Sequence, residues 1–152
     1  MTNPETILAV YLILKRGDKV LLSRRTNTKW ADGWYSMVAG HIDGNETIRQ
    51  AMAREAKEEA GIDIRVDDLR VVHVVHRHTP PPGKESLDFF LTTDRWTGEP
   101  KNMGPKYCDD MQWFESGRFP PKTLKFLPII LDRVGRGMFY SEYGFDDGEP
   151  EF

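Results

Sequence analysis

Gly40-His41-Ile42-Asp43-Gly44-Asn45-Glu46, followed after seven residues by Arg54-Glu55-Ala56-Lys57-Glu58-Glu59-Ala60-Gly61-Ile62, places more acid at one helix end than a helix favours. Thr47-x-x-Gln50 reads as a capping box. Ile48, Ala51, Met52, Ala56 and Ala60 form an apolar stripe behind it, and Gly61 is suited to a left-handed stop. The spacing predicts a helix over 48–60. At about 100° per residue, Glu58 and Glu59 lie about 60° and 40° to either side of Glu55, so three carboxylates share one arc. Their repulsion, added to the negative end of the helix dipole, is only partly offset by Arg54, which precedes Glu58 in the weaker order for an ion pair. A divalent cation is the simplest neutralising partner for three such anions.

An acidic run on an amphipathic helix is more often a solvated face, and Glu-x-x-Glu-Glu alone favours that reading. The whole string decides otherwise. Gly40, Glu46, Arg54, Glu55, Glu58, Glu59 and Gly61 fill every fixed letter of the Nudix hydrolase signature, and the chain resembles that family. Seven specified letters at roughly 7% usage each would coincide with a probability on the order of 10⁻⁸ per starting position. Ala56 and Ile62 also stand where the pattern takes small or aliphatic residues.

The 152 residues, 39% hydrophobic, fit one domain spanning 1–152, with the acidic, Gly-containing stretch 143–152 expected to be a loosely ordered tail. A net charge of −3 supplies no basic footprint, which argues against duplex nucleic acid or an anionic membrane as partner. The apolar run 6–14 is too short to span a membrane and no basic residue precedes it as in a signal peptide. Cys108 is the only cysteine, so no internal disulfide forms; it is expected to be a small buried hydrophobe in a protein of the cytoplasm.

Aliphatic stretches 7–14 and 20–23, separated by Arg16-Gly17-Asp18-Lys19, read as a hairpin. Further strands are expected at 34–38, 62–66, 69–78, 87–93 and 111–114, interrupted by Asp67-Asp68 and by a loop at Pro80-Pro81-Pro82-Gly83. Pro128 suits the first turn of a helix over 129–136. The outcome is an α/β chain with a mixed sheet. The resemblance implies the matching fold, an α/β/α sandwich with a signature loop–helix–loop at its side.

All candidate ligands are hard oxygen donors, which suits Mg²⁺, with Mn²⁺ as substitute, and argues against zinc. Such an ion completes its shell with water and phosphate oxygens, so a diphosphate-containing ligand is the expected partner, and the resemblance implies that it is a small nucleotide. The resemblance implies that Glu55, Glu58 and Glu59 are magnesium ligands or the base, with the Gly40 carbonyl a further ligand. It implies that Arg54 orients a neighbouring glutamate and that Glu46 braces the loop. The reaction implied is water attack on a nucleoside diphosphate linked to another group. Many triphosphate-hydrolysing members carry Glu-Pro-x-x-Cys downstream; here Gly104-Pro105-Lys106-Tyr107-Cys108 has glycine instead, with Asp109, Asp110, Glu99 or Glu85 as conceivable substitutes.

Arg25 matches a position that often touches phosphate or ribose in members, although a solvated arginine at a strand end is equally ordinary. Trp34, Phe89 and Trp113 are candidates to stack on a base, although aromatic residues in strands more often fill a core. His76 and His78 share a strand face, yet no third or fourth ligand completes a zinc site. The Ser-Gln-Pro-Trp-Pro-Phe run of NADH-hydrolysing members is absent, and Pro80 lies farther downstream than the ADP-ribose mark. Nucleoside triphosphates, altered ones included, are the default substrate, with ADP-ribose or a nucleotide sugar as the alternative. A non-catalytic nucleotide sensor would be marked by degraded signature glutamates, and none is degraded. An isopentenyl diphosphate isomerase needs a cysteine ahead of the signature, whereas Cys108 follows it. Dimers are common among members, so a homodimer is compatible with the resemblance.

Overall fold

A computed structural model describes residues 5–79, 84–146, 148, 149 and 152. The expected loop at 80–83 lies outside them. Strand β1 (Thr6–Ile13) organises the fold through its alternation. Ala9, Tyr11 and Ile13 enter one apolar core, while Val10 and Leu12 enter a second, joined there by Leu14 just beyond the strand.

Helix α1 (Ile48–Ala60) closes the second core with Ala51, Met52, Ala56 and Ala60, all 0% exposed. The small alanines let the helix axis approach the sheet closely. Its ends are local chemistry: the Thr47 hydroxyl accepts from the Gln50 N–H at 3.1 Å, and Gln50 Oε1 accepts from the Thr47 N–H at 2.8 Å. Gly61, at φ 68°, ends the helix and donates its N–H to the Lys57 carbonyl. Helix α2 (Phe126–Gly135) covers the opposite core with Phe126, Leu127 and Ile130; Pro128 occupies its first turn, where no N–H is needed.

Between the helices runs a five-stranded mixed sheet. Strand β5 (Ala39–His41) pairs antiparallel with β1, which pairs parallel with β7 (Lys84–Thr92); β7 pairs antiparallel with β6 (Arg70–Thr79), and β6 pairs parallel with β9 (Tyr140–Tyr143). A smaller sheet joins β2 (Lys15–Arg16), β3 (Lys19–Arg25), β4 (Tyr35–Ser36) and β8 (Cys108–Glu115). No helix among the described residues is long and apolar enough to cross a membrane.

The structure corrects several expectations. The turn at Gly17 joins β2 to β3, but β1 itself leaves this hairpin for the larger sheet, because its central residues pair with β5 and β7. The stretch 62–66 makes only a bridge, Asp63 with Thr97, before a 3₁₀ turn at Val66–Asp68; Ile62 and Ile64 are buried beneath α1 instead of pairing in a sheet. The 34–38 strand shrinks to two residues, and β5 and β9 were not anticipated. The stretch 143–152 begins inside β9, with Tyr143 only 4% exposed. Cys108 is half-buried at the start of β8, where its thiol donates to the Asp110 carbonyl.

Candidate active site

The signature helix meets the sheet at β5. Gly40 is glycine because Glu55 occupies the space of a side chain there: a Cβ would lie 2.1 Å from Glu55 Cδ. The Glu55 carboxylate, about nine-tenths buried, is thereby held against the loop backbone. One turn on, Glu59 Oε2 accepts from the Ala39 N–H at 3.2 Å. Two acids of one helix thus brace neighbouring residues of one strand.

Arg54 knits the rest. Its guanidinium donates to Glu46 at 2.8 and 3.1 Å, to Glu55 at 2.9 Å, to Glu58 at 3.2 Å and to the His41 carbonyl at 3.1 Å. Glu46 closes the loop on itself by accepting from the Asp43 N–H at 2.7 Å. The planar fork of arginine suits this multiple role. The Arg54 hydrogen bond holds the Glu46 carboxyl below its ordinary range. Glu58 remains largely exposed.

Burial raises Glu55 above the usual carboxylate range, opposed by Arg54. It pushes Glu59 up to about 7, and the Glu55 charge adds to the effect. Both shifts come chiefly from burial, which penalises the anion. Among the described residues no three His, Cys, Asp or Glu side chains form a ready cation cage. A magnesium site needs only one or two carboxylates with water and phosphate, and Glu55, Glu59 and the nearby loop carbonyl are donors of that kind.

Two clefts flank this corner. One, of about 340 Å³, is lined by Glu59, Arg25, Ser36, Gly104 and Cys108. The other, of about 390 Å³, lies on the face of the larger sheet and reaches Gly40 and His41. Arg25 and Ala39 line both. Arg25 Nε donates to the Trp30 carbonyl at 3.1 Å, and its guanidinium lies 5.1 Å from the Trp30 ring. Burial lowers its pKa, so it is partly stripped of water and ready for an anionic partner.

The structure does not bring the other aromatic candidates into either cleft. Trp34 packs near Phe152 and Lys125, and Phe89 packs with the core under α1. Trp113 stacks with Trp96 beneath Arg16. The four acids considered in place of the missing glutamate are each paired: Asp109 with Arg24, Asp110 with Tyr35 and Gln112, Glu99 with Arg16, and Glu85 with His76. Residues that sequence reasoning passed over line the sheet-face cleft instead: Trp30, Arg77, Ser86 and Asp88. The available signal was Ser86 and Asp88 at two-residue spacing, polar residues sharing one face of β7 with Phe90.

The model of the NUDIX domain family matches residues 5–132, and the chain belongs to the Nudix hydrolase family. It is 28% identical over 117 residues to the NAD-capped RNA hydrolase NudC of Stutzerimonas stutzeri (strain A1501), an alignment covering 77% of this chain and 39% of that relative. The chain therefore spans about two fifths of the length of that curated relative. Its fold is similar to that of a MutT NUDIX hydrolase from Burkholderia pseudomallei, with a TM-score of 0.78, 22% identity, and coverage of 86% of this chain and 98% of that one. It is also similar to a bifunctional NMN adenylyltransferase/ADP ribose pyrophosphatase from Francisella tularensis, solved with AMP and a Mn ion. There the TM-score is 0.63 and the identity 16%, over 90% of this chain and 43% of that one.

Proposed function

We propose that the chain is a magnesium-dependent pyrophosphohydrolase that cleaves a nucleoside triphosphate, altered ones included, into a monophosphate and pyrophosphate. The observation that carries this reading is the pair Glu55 and Glu59, both raised above the usual carboxylate range by burial and set against the Gly40 loop beside a desolvated Arg25. Glu55, Glu58 and Glu59 with the Gly40 carbonyl would hold magnesium, or manganese in its place, which supplies charge neutralisation at phosphorus and a more acidic water.

The protein's own groups do the rest. Arg54 fixes Glu55 and Glu58 in position, and Glu46 anchors Arg54 to the loop. Whichever of Glu55 and Glu58 is not committed to the ion takes the proton from the attacking water, and Arg25 holds a phosphate oxygen. Pyrophosphate leaves as the anhydride bond breaks.

A second reading, hydrolysis of the pyrophosphate in a nicotinamide dinucleotide end, is favoured by the NudC relative and opposed by the missing Ser-Gln-Pro-Trp-Pro-Phe run. The test is a panel of nucleoside triphosphates, NADH, ADP-ribose, nucleotide sugars and dinucleoside polyphosphates, assayed with and without Mg²⁺. Magnesium-dependent release of pyrophosphate from triphosphates is expected. Faster cleavage of NADH than of any triphosphate selects the second reading, and no turnover of any compound overturns both in favour of a nucleotide sensor.

A further inference from the structure

Strand β9 lies at the edge of the larger sheet, with β6 on its inner flank and no described strand on its outer one. The Val74 N–H donates to the Phe139 carbonyl, and the parallel register sets Val74 against Tyr140 and His76 against Glu142. In that register Ser141 gives both backbone groups to β6, so Tyr140 and Glu142 turn their N–H and C=O outward. Neither finds a backbone partner among the described residues. Proteins shield such edges with lysine, proline or a bulge. The stretch Met138-Phe139-Tyr140-Ser141-Glu142-Tyr143-Gly144-Phe145 contains no lysine or proline, and β9 pairs with β6 without a register shift.

Large apolar side chains gather at the same edge: Met138, Phe139, Tyr140 and Phe145 are all exposed. Met138 and Phe139 precede the strand, whereas Phe145 follows it, with its ring against His76 and His78. An antiparallel strand of the same sequence would meet apolar groups with apolar groups at both ends. Backbone and charge then choose the register, since only outward-facing residues can exchange hydrogen bonds. Glu142 opposite the partner's Glu142 sets like charges face to face and needs the Gly144 N–H, which the Glu149 carboxylate already holds. Tyr140 opposite the partner's Tyr140 leaves Glu142 against an apolar Met138. The remaining choice centres on Ser141 and sets Tyr140 opposite the partner's Glu142 twice over. These two groups match chemically, for within one chain the Tyr140 hydroxyl already bonds to the Glu142 carboxylate.

We infer that β9 is a self-association surface on which a second copy of this chain pairs its own β9 antiparallel, about a two-fold axis at Ser141, joining two five-stranded sheets into one. A ladder this short buries less than the roughly 1,200–2,000 Å² of a stable interface, so Met138, Phe139 and Phe145 supply the remaining contact. The inference goes beyond the hydrolase reading and does not depend on it.

Sedimentation of the full chain over a concentration series reaching about 100 μM is the test, and a dimer is expected. Tyr140→Glu sets a carboxylate opposite the partner's Glu142 and is expected to raise the dimer Kd at least about tenfold. Tyr140→Lys sets an ammonium there instead and is expected to leave Kd within about threefold of the unmodified value. Glu142→Pro removes an outward N–H while sparing the bonds to β6, and is expected to leave a monomer across the series. If that variant fails to fold, the two Tyr140 variants decide. A monomer at every concentration of the unmodified chain, a dimer of unchanged Kd in all three variants, or equal weakening by Tyr140→Glu and Tyr140→Lys overturns the inference.

Discussion

Gly40 and Glu55 occupy each other's space: the Cβ that any other residue would carry at position 40 falls 2.1 Å from Glu55 Cδ and 2.2 Å from Oε1. The φ of Gly40 lies outside the left-handed region, so the requirement for glycine comes from this close approach and not from backbone strain. Gly40→Ala should therefore displace a carboxylate with little effect on the fold. Turnover is expected to fall at least about tenfold, equivalent to ~1.4 kcal/mol of transition-state stabilisation. Thermal stability should change by only about 1 kcal/mol, or roughly 2–4 °C. Kinetics and calorimetry on the same variant check both halves; wild-type turnover would mean that the position of Glu55 does not matter to the reaction.

Arg54 bridges three glutamates and a carbonyl, a task that a single ammonium cannot perform. Arg54→Lys is expected to lose about 2 kcal/mol of stability, roughly 4–8 °C in Tm, since bonds to charged groups are each worth ~1.5–3 kcal/mol and lysine retains only some of them. An unchanged melting temperature would show that these contacts are not made in solution.

The signature helix was legible because its signals are local. A capping box and a terminal glycine act within four residues, and the structure places α1 over the expected 48–60. The cleft was not legible, because it exists only where β1, β6 and β7 align. Nothing near Asp88 in the chain announces that Arg77, eleven residues away, will face it across an antiparallel pair. Ile62 and Ile64 misled for a related reason: alternating aliphatic residues fit a strand equally well as a linker whose side chains fill the space under a helix. Likewise, β5 and β9 are short segments whose pairing is supplied entirely by distant strands.

The capping box itself makes a further measurable claim. Thr47→Ala removes the hydroxyl that accepts from the Gln50 N–H and should cost about 1 kcal/mol, lowering Tm by roughly 2–4 °C. Amide exchange in the first turn of α1 should quicken while the Glu59 end stays protected. Uniform exchange along the whole helix would show that its start and its acidic end unfold together.

Glu59 links stability, pH and chemistry in one side chain. Its carboxyl titrates near 7 in the folded protein, against about 4.3 in an unfolded chain, because burial and the Glu55 charge disfavour the anion. Between those two values the folded state binds more protons than the unfolded one, so stability must fall as pH rises through this window. Without divalent cation the loss is expected to reach up to about 3 kcal/mol between pH 4.5 and 7.5. A bound divalent ion favours the carboxylate, so Mg²⁺ with a nucleotide should flatten the slope. Glu59→Gln cannot titrate and should flatten it without any metal, while lowering turnover at least about tenfold. The profile comes from urea denaturation at several pH values, with and without Mg²⁺. A slope of the same size in Glu59→Gln would assign the titration to another group, and full activity in that variant would remove Glu59 from the reaction.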